Sequence, residues 1–165
     1  IARAIELDPL YVDVAVRRGE AFTGGPARLA GTGRTVAESA RDIAVQIAKK
    51  RRPDAHMTAL VGQMDTELRG AQMAHRAMVA TALENKPGAE SVNEIMIGRT
   101  LVARHAIAAV ELAMEAAGGG AFYRSAGLER RFRDIQGARF HPLQSGPQAT
   151  YAGSMALGLP IDRVF

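Results

Sequence analysis

Residues 114–142 read MEAAGGGAFYRSAGLERRFRDIQGARFHP. An apolar helix end runs into three glycines, a short loop with an aromatic pair, a helix dense in arginine, and a His-Pro stop. Each glycine costs about 1 kcal/mol relative to alanine inside a helix, so the helix ends at Gly118, Gly119 and Gly120 and the chain turns there. The arginine helix carries Arg130, Arg131 and Arg133, with Asp134 placed to pair with one of them. Backbone N–H groups bare of side chains, next to fixed guanidinium groups, suit an anion such as a diphosphate. A plainer reading is a glycine helix stop followed by a solvated basic helix. Both remain open on these residues alone.

Upstream of the glycines the apolar residues recur at helical spacing. Val36, Ala40, Ile43 and Ile47 predict a helix over 36–50 that ends in Lys49-Lys50. Pro53-Asp54 restarts the chain, with Asp54 a candidate N-cap. A long helix follows to about Glu84, with Leu60, Met64, Leu68, Ala71, Met78 and Ala82 on one stripe. Asn85-Lys-Pro-Gly88 breaks it. Ser91-Val-Asn-Glu94 offers a capping box for the next long helix, which can also begin a few residues earlier. That helix carries Ile95, Leu101, Val102, Ala109, Leu112 and Ala116 up to the glycines. Shorter helices are expected over 128–139 and 144–157. Alanine-rich long helices pack closely and antiparallel. The expected fold is therefore all-α, an up-and-down four-helix-type bundle over residues 36–158, with a tail over 159–165.

Residues 1–35 read differently. Tyr11–Val16 (YVDVAV) has the β-branched character of a short strand, and the glycine-rich tract from Gly24 to Gly33 reads as linker. No Gly-Lys-Ser/Thr follows that tract, so it is not a phosphate loop of the nucleotide-hydrolase type. This segment is expected to be a strand-like or disordered appendage. The chain opens on Ile1, as a processed or truncated chain would.

The 165 residues suffice for one domain with a sizeable core, and a hydrophobic content of 47% argues against global disorder. No cysteine is present, which removes thiolate chemistry and fits a reducing, cytoplasmic setting. The apolar tract 106–117 is interrupted by Glu111 and Glu115, so no membrane span is expected. A formal net charge of +4 raises nucleic acid as a partner, but aromatics are only 5% and none interleaves with the basic residues. The densest basic run, Lys49–Arg52, is what a helix C-terminus favours on dipole grounds. Nucleic acid is therefore not expected.

The histidines are not at metal-ligand spacing. His75 and His105 fall near apolar stripes and read as hydrogen-bonded core or interface residues. Asp65 and Glu67 face different sides of one helix and are not a catalytic pair. Met57, Met64, Met73, Met78, Met96, Met114 and Met155 read mostly as core filler. His141 differs: it follows the cationic helix at its end, where a neutral imidazole serves as acid or base near neutral pH.

Gly118-Gly119, Phe122-Tyr123 and Arg130-Arg131-Phe132-Arg133-Asp134 (RRFRD), with Val36–Val45 upstream, resemble the C-terminal helical domain of the acyl-CoA dehydrogenase superfamily of flavoproteins. The resemblance covers about residues 36 to 158. It implies a flavin cofactor, FAD or in some members FMN, and a small organic or acyl-CoA substrate. It further implies a homo-oligomer, typically a tetramer. By the same resemblance Glu115, Gly118, Gly119, Gly120, Arg130 and Arg133 would bind the cofactor. Two departures stand out. Glu115 occupies a position where the dehydrogenases usually carry Gln, and no Glu follows Glu129 to act as the α-proton base. His141 resembles the branch of flavin-dependent monooxygenases instead and would be the catalytic residue. The competing expectation is a non-catalytic helical module that binds a partner helix.

Overall fold

A computed structural model describes residues 35–84, 86–140 and 144–161. The strand expected over 11–16, the glycine-rich tract before Arg34 and His141 lie outside them. Five α-helices make up the described chain: α1 (Val36–Lys50), α2 (Ala55–Glu84), α3 (Ala89–Ala117), α4 (Leu128–Ile135) and α5 (Ser145–Leu157). No strand occurs among the described residues.

Local chemistry sets the ends. At α1 the Thr35 hydroxyl accepts from the Glu38 N–H at 3.2 Å, and the Glu38 carboxylate accepts from the Thr35 N–H at 2.9 Å, a reciprocal cap. Asp54 caps α2 as expected, accepting from the Met57 N–H at 2.8 Å. The expected Ser91–Glu94 box is replaced by an earlier start at Ala89. There the Ser91 hydroxyl accepts from the Gly88 N–H at 3.0 Å, and Glu94 accepts instead from the Thr81 hydroxyl of α2. The expected helix over 128–139 is α-helical only to Ile135 and tightens to a 3₁₀ turn over Gln136–Phe140.

α3 is the central element and packs against all four other helices. Its contact with α2 is close because two glycines face bulky neighbours. A Cβ on Gly98 would lie 3.0 Å from the Met78 Cβ, and one on Gly70 would lie 3.1 Å from the His105 ring. α1 meets α3 with a strip of Ala37, Ala40, Ala44 and Ala48, all buried. The inward face of α1 is thus alanine, with Ile43 and Ile47 at its margin and Val36 only half-buried. Met64, Val110 and Leu128 are the largest fully buried side chains, each contributing about 1.5–3 kcal/mol by leaving water.

The stripe expected on α2 holds through Ala71 and fades beyond it: Met78 is half-buried and Ala82 exposed. Met114, read as core filler, is buried in the core, whereas Met73 is exposed and Ile97 and Leu101 are partly so. Among the described residues no helix is long and apolar enough to cross a membrane.

Candidate functional site

The end of α3 is decided at Gly118. Its φ of 64° and ψ of −162° lie in a region open essentially only to glycine. Its N–H is not bare, because it donates to the carbonyls of Met114 and Glu115. The chain then winds through a 3₁₀ turn over Gly118–Phe122, with the Tyr123 N–H donating to the Gly120 carbonyl at 3.3 Å.

Arg51, the residue that closes α1, lays its guanidinium across this turn. A Cβ built on Gly118 would lie 3.2 Å from Arg51 Nη1, and one on Gly120 would lie 3.6 Å from Nη2. Gly119 stands between them, exposed, with nothing within 4 Å of where a side chain would begin. No carboxylate among the described residues pairs with Arg51. The result is an exposed cation lying over backbone that a ligand can approach closely at one point. A phosphate group suits such a cradle, since a guanidinium binds it with two parallel hydrogen bonds.

The arginines read from the sequence are arranged otherwise. Arg130 and Arg133 project from α4 with side chains 72% and 68% exposed. Arg130 Nε lies 3.5 Å from Asp134, and Arg133 pairs with Asp134 and Glu129. Asp134 does pair with an arginine, as expected, but the guanidinium that meets the glycines is that of Arg51. Glu115 is exposed in the last turn of α3, and its carboxylate has no partner among the described residues. Phe122 and Tyr123 are about 70% exposed.

Arg131 ties α4 to the rest of the site. Its Nε donates to the Ser39 hydroxyl of α1 at 2.7 Å, and its Nη1 donates to the Gly127 carbonyl at 2.7 Å. Gly127 has φ of 71°, which places the start of α4 under that guanidinium. Arg131 was legible in the sequence: Leu128, Arg131, Phe132 and Ile135 share one helical face, and a charge on an apolar stripe calls for a partner. Arg51 gave no such signal, because 67 residues separate it from Gly118.

His105 Nδ1 lies 2.7 Å from the Glu67 carboxylate, the hydrogen-bonded place expected for it. Asp65 turns instead to α1, where Arg41 donates to both of its oxygens at 2.7 and 3.0 Å. That pair holds the Asp65 carboxyl below its ordinary value, against the opposing effect of partial burial.

The central helix of this bundle, α3, ends on a glycine turn beneath the guanidinium of Arg51. The family model for the acyl-CoA dehydrogenase C-terminal domain matches residues 29–145, and the chain belongs to that family. No curated protein matches it. Among solved structures it is similar to KijD3 in complex with FMN and dTDP-3-amino-2,3,6-trideoxy-4-keto-3-methyl-D-glucose, at 23% identity and a TM-score of 0.70, covering 78% of this chain and 34% of that one. It is also similar to nitrososynthase from Micromonospora carbonacea var. africana, at 27% identity and 0.66, covering 75% and 34%. The HsaA monooxygenase from M. tuberculosis follows at 19% identity and 0.68, covering 76% and 36%. The chain thus spans about a third of the length of these structures.

Proposed function

We propose that this chain is the C-terminal bundle of a flavin-dependent oxidoreductase, and that Arg51 with the Gly118–Gly120 turn holds a phosphate of the flavin, FAD or FMN. The observation that carries this reading is the Arg51 guanidinium lying over Gly118 and Gly120 with Gly119 open between them. The flavin would supply the redox chemistry, and these residues would bind and orient its phosphate. Arg130 and Arg133, exposed on α4, are assigned a weaker, screened attraction to the same anion, whereas Glu115, a carboxylate, would accept a hydrogen bond from another part of the cofactor. The acyl-CoA dehydrogenase family and a nitrososynthase at 27% identity support this class of chemistry. KijD3, crystallised with FMN, supports a flavin within this fold. The substrate is a small organic molecule or an acyl thioester.

His141 is proposed as the acid or base of the reaction, on its place after the arginine helix and the lack of any Glu beyond Glu129. Its replacement by alanine should lower turnover about 10²-fold or more while leaving flavin content unchanged. Self-association through the bundle belongs to the same proposal. Phe122, Tyr123, Phe140 and Leu157 are each 60% exposed or more, and burying such side chains favours a second copy.

The test is flavin retention in the full-length protein. Arg51→Gln should weaken it about tenfold to a hundredfold, the range for losing a hydrogen bond to a charged group. Gly119→Val should weaken it without unfolding the helices, since its side chain meets open space. Flavin stoichiometry and affinity at the unsubstituted level in both variants would sink the proposal.

A further inference from the structure

We propose that the cleft between α3 and the Gln136–Phe140 turn is a second anion site, distinct from the glycine turn, that takes a small organic molecule by its carboxylate or phosphate group. The cleft measures about 350 Å³, near the small end of ligand pockets. Arg99, Ala103, Arg104, Ile107 and Glu111 form one wall, spaced so that they share a face of α3, and Arg139 closes the opposite side.

Arg99 is engaged by a partner of its own, and the other two guanidinium groups, Arg104 and Arg139, border the cleft with one carboxylate, Glu111, leaving a net excess of one positive charge. Arg139 is already committed: its Nε donates to the Gln136 side chain at 2.7 Å and its Nη2 to Glu111 at 3.3 Å. Glu111 is therefore largely spent on Arg139. Arg104 has neither a hydrogen bond nor an ion pair with any described residue, although it borders the same cleft. Like charges gathered around one hollow repel, and an anion placed among them removes that repulsion while gaining charge-assisted hydrogen bonds. The floor is different in kind. Ala103 and Ile107 offer apolar surface, and the short alanine side chain leaves the room that makes the cleft. An anionic head against Arg104 and Arg139, with a compact apolar body over Ala103 and Ile107, satisfies both halves.

The site shares no residue with the Arg51 cradle, so each can fail alone. The chain would be titrated with phenyl phosphate and, separately, with benzoate, following the side-chain Nε–Hε resonances of arginine by NMR. Saturable shifts at Arg104 and Arg139, persisting in an Arg51→Gln variant and weakened about tenfold in Arg104→Gln, are the expected result. The probe that saturates at the lower concentration identifies the head group. Shifts confined to Arg51, or unsaturable shifts spread over all arginines, overturn the proposal. Arg104 is exposed, so its substitution leaves the bundle intact.

Discussion

The glycine turn at the end of α3 and the Arg-Asp helix that follows it are neighbours in sequence and each meets guanidinium groups, yet they use arginine in opposite ways. On α4, Arg130 and Arg133 have acids one to four residues away and spend their charge on Asp134 and Glu129 at the solvent edge. At the turn, Arg51 arrives from the far end of α1 without a carboxylate partner among the described residues and lies over the glycines. Exposed ion pairs within one helix contribute at most a few tenths of a kcal/mol, whereas an arginine with no acid beside it keeps its hydrogen bonds for a ligand. What separates them is not composition but whether a carboxylate stands within reach.

If the charges of α4 are peripheral, its anchor must be apolar. Leu128 is fully buried, and Leu128→Ala should cost about 2–5 kcal/mol. A denaturant midpoint shifted by much less would mean that the arginines hold α4 after all. Next in size is the turn itself. Gly118→Ala forces a side chain into a glycine-only conformation beneath Arg51 and should cost about 1–3 kcal/mol. Gly119→Ala, in open space, should change the melting temperature little, and equal losses at the two positions would erase the distinction drawn between them.

Arg130→Gln combined with Arg133→Gln should lower stability by less than about 1 kcal/mol. A loss of flavin as large as that of Arg51→Gln would reverse the comparison, and a binding titration on both variants decides it.

The smallest effect concerns an arginine that does have its acid. Asp65 is held below its ordinary value by Arg41, so near and below pH 4 the unfolded chain binds more protons than the folded one. Stability from this pair is therefore complete above the ordinary carboxylate range and is lost as pH falls through the lowered value. Asp65→Asn should cost less than about 1 kcal/mol at neutral pH, because both groups are partly solvated, and should flatten the acid limb of a stability–pH curve. An unchanged acid limb would show that the pair is equally formed in the unfolded chain.

The sequence alone determined the helices and their breaks. The spans of α1 and α2, the Asp54 cap, the glycine stop after α3 and the all-α class follow from periodicity and from which backbones glycine and proline permit, and these are local properties. It also placed His105 on a hydrogen bond and separated Asp65 from Glu67, because helical spacing fixes the face on which a residue falls. Tertiary structure decided the rest. That α1 presents alanine to α3, that Met73 and Ala82 turn outward, and that Glu111 is taken up by Arg139 all depend on how helices cross. The same holds for Arg51. Read along the chain it is the last charge of a helix, suited to a dipole. Only the packing of α1 along α3 brings that charge over Gly118, since contact between residues so far apart is set by the crossing of the two helices and leaves no trace in either segment's own pattern.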